Sequence, residues 1–199
     1  FGIYKVSKHT KNSNKIAISD EDILRFKSFN LNSNDKFFHT FNMFLFSYYA
    51  GGINFKDLTH LKWSNVADER LIYIRSKTKT PINLKLVGSA LEILEHYRSI
   101  SKLAAVEYVF PIVNRDGLTE KQIFYRYKKC LRKFNKELKL IAESVGIEKN
   151  LTSYVSRHSF ATNLKFNQVS VEVISQLMGH ADVSVTNAYL KDFGNEVLD

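Results

Sequence analysis

A chain of 199 residues, 44% hydrophobic and 25% charged, is an ordinary globular sequence long enough to bury one good core. The single cysteine, Cys130, excludes an internal disulfide framework and fits a reducing cytoplasm; no apolar run reaches 18 residues, and Phe1 begins no signal peptide. The 29 Lys and Arg outnumber 20 Asp and Glu, for a net charge of +9 and a pI near 9.5, so the expected partner is a polyanion, nucleic acid ahead of an anionic membrane surface.

Residues 1–18 are polar and lysine-rich ("SKHTKNSNK") and read as a linker or extended arm. Because the chain begins with Phe rather than Met, it reads as a piece of something longer. Ser19 before "DEDILRF" predicts a helix with an N-cap and an acidic first turn, which suits the helix dipole. From Asp35 to Ala50, "DKFFHTFNMFLFSYYA" is apolar nearly all round and predicts a buried central helix ended by Gly51-Gly52. A short helix follows in "NFKDLTHLKW", with Phe55, Leu58 and Leu61 on one face.

Leu71–Arg75 and Pro81–Leu86 predict two short strands around a polar turn. "GSALEILEHYRSI" is an amphipathic helix, and "EYVFPI" a short apolar piece stopped by Pro111. Residues 118–144 carry the longest helical pattern, with Ile123, Tyr127, Leu131, Phe134, Leu138 and Ile141 at 3–4 spacing. The opposite face bears Arg126, Lys128, Lys129, Arg132 and Lys133 among other cations. A solvated lysine face is the ordinary reading of such a pattern; interleaved tyrosines point instead to a surface that holds duplex DNA. Helices at 152–165, 170–178 and 183–191 and a tail "DFGNEVLD" complete the chain. The expected fold class is mainly α with a small antiparallel β-sheet (α+β).

Three pieces near the C-terminus gain meaning together. Arg157-His158-Ser-Phe-Ala-Thr lies on one helix, "LMGH" ends the next at Gly179-His180, and "TNAY" ends in Tyr189. Singly, each has an everyday structural role: a salt-bridge arginine, a histidine after a helix cap, a tyrosine at a core edge. As a set in this order and spacing they resemble the signature of the tyrosine recombinases, or phage-type integrases. "YYAGGINFKDLTHLKWSNV" is similar to the family's segment around its first catalytic arginine, and "IYIRSKTKTPINL" to its β-hairpin with the catalytic lysine. The resemblance covers residues 17–192, which makes 19–192 a catalytic domain, 1–18 an interdomain linker and 193–199 a tail of the kind that docks on a neighbouring subunit in relatives. The family's N-terminal core-binding domain has no counterpart in the sequence.

The resemblance implies cleavage of DNA by a tyrosine hydroxyl, leaving a 3′-phosphotyrosine and a 5′-hydroxyl, with no metal, ATP or other cofactor. It makes Tyr189 the nucleophile, has Arg157 and His180 contact the scissile phosphate, and gives Lys77 the role of acid to the leaving oxygen, with Lys79 the neighbouring candidate. It implies double-stranded DNA and a tetramer of the same protein as partners, a directionality factor as a candidate accessory, no membrane, and a bacterial, DNA-associated, cytoplasmic setting. His158 reads as structural. A non-catalytic DNA-binding module of the same fold and a type IB topoisomerase are the competing readings.

Two positions depart from the pattern. Asn54 stands where the first arginine is expected, and no arginine lies between residues 26 and 69. Arg75, at the end of the first strand, is the candidate replacement, with Arg70 behind it. Tyr154 stands where the family has a histidine, three residues before Arg157; a phenol can donate a hydrogen bond to a phosphate but is a poor base at neutral pH. Sequences of the branch carried by conjugative elements and prophages of gut anaerobes are similar to this one in "TSYVSRHSFAT" and "GINFKDL". By resemblance, Asp57 orients Arg157.

Overall fold

A computed structural model describes residues 16–31, 35–104, 107–113 and 115–191. Most of the expected linker and the tail from 192 onward lie outside these residues. Within the expected linker, Ile18 is fully buried and its N–H donates to Ser159 Oγ at 2.9 Å, so the chain is already packed before residue 19.

Eight helices and three strands alternate in blocks among the described residues: α1 (Asp20–Lys27), α2 (Phe38–Tyr49), α3 (Phe55–His60), β1 (Val66–Ala67), β2 (Arg70–Ile74), β3 (Pro81–Lys85), α4 (Gly88–Ala104), α5 (Glu120–Ser144), α6 (Val155–Phe166), α7 (Val171–Met178) and α8 (Val183–Lys191). The strands form one antiparallel sheet in the order β1-β2-β3. The two-residue β1 was not legible in the sequence because it is too short to alternate. "EYVFPI" forms no strand; Tyr108 makes a single bridge to Lys62, while Val109, Phe110 and Ile112 are buried.

Local chemistry accounts for the boundaries. Ser19 Oγ accepts from the Asp22 N–H at 3.1 Å and starts α1; Thr119 and Gln122 cap α5 reciprocally; Ser170 caps α7, and Gly179 ends it in the left-handed region, φ 65°. The uniformly apolar α2 lies against α4, α5 and α6. Phe26, Phe44, Phe46, Tyr97 and Phe110 are fully buried around it, and Phe55 of α3 packs on Phe134 of α5 at 4.8 Å between ring centres. A second, smaller core holds Ala161, Ile174, Met178 and Leu190 from α6, α7 and α8. Helix α6 joins the two, with Val155 in the first and Ala161 in the second.

The turn after α2 brings backbone close to α6. Gly52 has φ 69°, and a Cβ there would lie 2.9 Å from Arg157 Cα and 2.9 Å from its Cγ. A side chain at this position meets both a disfavoured backbone conformation and a backbone clash. Gly52→Ala is therefore expected to lower the unfolding free energy by about 2 kcal/mol or more. Urea denaturation checks it, with the exposed Lys136→Ala as a reference that stays within about 0.5 kcal/mol of the parent.

Candidate active site

Arg157 enters the fold at the third position of α6, where it is only 4% exposed. Burying a guanidinium without hydrogen bonds would be prohibitive. Here Nη1 donates to Gly52 O at 2.8 Å and Nη2 to Met178 O at 2.7 Å. Two chain reversals thus lend carbonyls to one cation. A third N–H points from Nη2 to His180 Nε2 at 3.2 Å. Of the five N–H groups a guanidinium carries, two remain uncommitted among the described residues.

Arg75 approaches from the hairpin and is 8% exposed. Its Nη1 donates to Gly179 O at 3.3 Å, while Nε is buried with no partner. No carboxylate hydrogen-bonds either guanidinium among the described residues. Burial first, and then the like charge of Arg75, lower the pKa of Arg157 to about 10. Two cations with spare donors in one low-dielectric site make a place for an anion.

His180 follows the left-handed Gly179 and is fixed at both nitrogens. Because arginine can only donate, Nε2 is the acceptor, so the proton sits on Nδ1 and goes to Thr186 Oγ1 at 2.7 Å. Burial, with Arg157 and Arg75 adding to it, lowers its pKa to about 4. Tyr189 packs edge-on to His180 at 6.0 Å and stacks on His158 at 5.1 Å with an interplanar angle of 25°. The Tyr189 hydroxyl and His158 Nδ1 are hydrogen-bonded. Burial pushes the Tyr189 phenol well above its ordinary value, against the pull of the nearby Arg157 and Arg75.

The structure therefore brings Arg157, Arg75, His180 and Tyr189 together, and adds His158 and Thr186. Sequence reasoning set His158 aside because its neighbour Arg157 carried the motif. The signals for the two additions were spacings: His158 lies one turn beyond Tyr154 on α6, and Thr186 one turn before Tyr189 on α8.

Other expected residues sit elsewhere. Lys77 and Lys79 are exposed at the hairpin turn, where Lys79 takes φ 58° and its N–H donates to Arg75 O at 2.9 Å; neither side chain has a hydrogen bond or ion pair among the described residues. Arg70 is spent on Asn83, through Nε to Oδ1 at 2.6 Å. Tyr154 is the residue before α6, 60% exposed, with its ring 6.1 Å from that of His158. Asn54 caps α3: Oδ1 accepts from the Asp57 N–H at 3.0 Å and Nδ2 donates to Asp57 Oδ2 at 2.6 Å. Its amide is thus occupied within the helix start. The expectation that Asp57 orients Arg157 gives way to a different contact. Its Oδ1 accepts from the Ser76 N–H at 3.0 Å, so it anchors the hairpin carrying Arg75, and it acts on Arg157 through charge alone.

The basic face of α5 is exposed along Lys128, Lys129, Arg132 and Lys133. Lys128 Nζ lies over the Phe124 ring at 5.4 Å, Arg126 Nε donates to Ile112 O at 3.0 Å, and Lys133 pairs with Glu137 at 3.6 Å. Among the described residues no group of His, Cys, Asp and Glu could hold a metal ion, and no helix is long and apolar enough to cross a membrane.

The histidine geometry generates a titration prediction. In the free chain the His180 ring is expected to protonate near pH 4 rather than near 6.5, as read by NMR of its carbon-bound protons. Its folded pKa lies below the unfolded one, so the unfolded chain takes up the proton first and stability falls as pH drops from about 6.5 to about 4. A Thr186→Val variant, which leaves Nδ1 without its acceptor, is expected to melt at lower temperature than the parent at pH 7.

Residues 26–196 match the model of the phage integrase family. A tyrosine recombinase XerD of Listeria monocytogenes serotype 4b (strain F2365) is 31% identical over 155 residues, covering 71% of this chain. The chain spans 46% of that relative. Among solved structures, the XerH site-specific recombinase bound to palindromic difH substrate superposes with a TM-score of 0.66 at 18% identity, covering 97% of this chain and 54% of that one. A lambda integrase tetramer bound to a Holliday junction gives 0.62 at 19% identity, covering 90% and 49%. The α+β arrangement is thus the fold of these recombinase structures, and the chain belongs to the phage integrase family.

Proposed function

We propose that this chain is the catalytic part of a site-specific DNA recombinase that cuts and rejoins duplex DNA through a 3′-phosphotyrosine. The observation that carries the reading is the pair of buried guanidiniums, Arg157 and Arg75, with uncommitted N–H groups and no hydrogen-bonded carboxylate among the described residues, in one cluster with the Tyr189 hydroxyl. A phosphodiester is an anion that such a site accommodates, and a phenol is a nucleophile that can attack it.

In this mechanism the Tyr189 oxygen attacks phosphorus in line with the departing 5′ oxygen. Negative charge builds on the non-bridging oxygens and is met by the two guanidiniums, whose planar forks suit that geometry. Once the phosphate takes the Arg157 N–H that now faces His180 Nε2, that nitrogen can take up a proton and donate to a phosphate oxygen. Arg75 takes the place of the arginine absent at position 54. Lys77 lends a proton to the leaving 5′ oxygen when DNA draws the hairpin turn toward the cleavage site, with Lys79 as the neighbouring candidate. Bond energy stays in the phosphotyrosine, so neither metal nor nucleotide is consumed, and chelation leaves the reaction unchanged.

Duplex DNA lies along the exposed cations of α5, and copies of the protein assemble as a tetramer on two sites, as in the lambda integrase complex. A directionality factor joins where the direction of exchange is regulated. The reaction takes place on DNA inside a bacterial cell, on a mobile element of the conjugative or prophage kind.

A nicked suicide duplex, drawn from a pool of randomised sites, tests the reading. A covalent protein–DNA adduct is expected from the parent and none from Tyr189→Phe. Arg157→Ala and Arg75→Ala are each expected to slow adduct formation by about 10²-fold to 10³-fold. An Arg75→Ala chain that cuts at the parent rate removes Arg75 from the mechanism. Relaxation of supercoiled plasmid with no site preference would favour a topoisomerase. Separately, Lys128→Ala and Lys129→Ala should weaken duplex binding about equally on all sequences, and each should reduce the slope of log affinity against log salt by about one.

A further inference from the structure

For a phenol to attack phosphorus, its proton has to leave, and the family's usual histidine is absent from position 154. Tyr154 cannot take over at neutral pH: its own hydroxyl is a weak acid and a very weak base, and its ring is largely in solvent. His180 is no better placed. Its Nε2 faces Arg157 and its Nδ1 faces Thr186, whereas the Tyr189 hydroxyl is turned to His158. The side chains of the hairpin lysines are exposed and make no hydrogen bond to this cluster among the described residues.

One base does touch the nucleophile. His158 is 9% exposed, its ring lies nearly parallel to that of Tyr189 at 5.1 Å, and its Nδ1 is hydrogen-bonded to the Tyr189 hydroxyl. His158 stands four residues after Tyr154, so one helical turn separates it from the position where the histidine is missing. The backbone holds it there: the His158 N–H donates to Tyr154 O at 3.0 Å in the first turn of α6. Arg157 and His158 thereby leave the same turn toward the same reaction centre, one toward the phosphate and one toward the attacking oxygen.

We infer that His158 is the general base of this chain, accepting the Tyr189 proton in place of the histidine missing at 154. The inference rests on the phosphotyrosine reading above. On cleavage the bond from the Tyr189 oxygen to phosphorus forms and the bond from phosphorus to the 5′ oxygen breaks. The phenolic proton moves to His158 Nδ1, and the leaving oxygen takes a proton from the hairpin lysine. On rejoining, the 5′-hydroxyl attacks the phosphotyrosine, its proton returns to the lysine, and His158 hands its proton back to the departing Tyr189 oxygen. Each cycle ends with no net proton exchanged.

The test separates a base from a packing partner. His158→Asn keeps a hydrogen-bond acceptor but cannot accept a proton at neutral pH. On the suicide duplex it is expected to form the same adduct about 10²-fold or more slowly than the parent. Replacing Tyr189 with a fluorinated tyrosine, whose phenol ionises more readily, should then restore about tenfold or more of the lost rate in His158→Asn, while giving the parent much less. A packing role predicts no such rescue, because the fluorinated ring packs no better. His158→Gln is the second variant, read the same way, if the first melts well below the parent. A parent chain that forms no adduct sinks the phosphotyrosine reading and this inference together. A normal parent adduct with a His158→Asn rate within about threefold of it, or a slow rate that fluorination leaves untouched, overturns the base assignment alone.

Discussion

The buried charge of Arg157 is the constraint from which the rest of the site follows. No carboxylate among the described residues hydrogen-bonds its guanidinium, and two carbonyls from distant parts of the chain, Gly52 O and Met178 O, are turned toward it. That arrangement explains the otherwise costly backbone on either side. The chain after α2 reverses at Gly52 with a positive φ and no room for a side chain, and α7 stops at Met178 so that Gly179 can turn left-handed. The same reversal sets His180 beside the cation and fixes its tautomer. A single ion thus dictates where two helices end.

Arg75 compounds the electrostatic problem instead of relieving it. The Arg157 charge, disfavoured first by burial, is disfavoured further by the like charge of Arg75. Desolvation and repulsion together raise the electrostatic free energy of the site. On the function proposed above this is preorganisation at a cost in stability, with the donors aimed before a phosphate enters. Asp57, one layer behind, holds the hairpin that delivers Arg75 through Ser76 and reaches Arg157 through charge alone.

Much of this was legible in the sequence for identifiable reasons. Helix α5 announced itself through a capping box and a long 3–4 apolar period, and α2 through its apolar run. The meeting of Arg157, His180 and Tyr189 was legible because a motif of fixed order and spacing ties them together. What escaped were contacts with no periodic or compositional trace. A two-residue strand cannot alternate. Asn54 reads as a substituted ligand until the cap at α3 shows both ends of its amide in use. Asp57 reads as a partner of Arg157 until Ser76 is found on its oxygen. His158 was masked by standing next to a more conspicuous residue, and only the fold revealed its ring stacked against Tyr189.

The separation of the two cores has a consequence for how the molecule moves. Tyr189 and His180 belong to a small satellite whose buried centre is Ala161, Ile174, Met178 and Leu190, whereas Arg75 belongs to the hairpin on the main body. Local opening free energy follows the apolar surface that must be exposed, and the core under α7 and α8 is small beside the aromatic heart around Phe44 and Phe46. Tyr189 therefore rides on the part of the described chain with the smaller apolar core. On the function proposed above, the fraction of time that part spends docked scales the rate of cleavage.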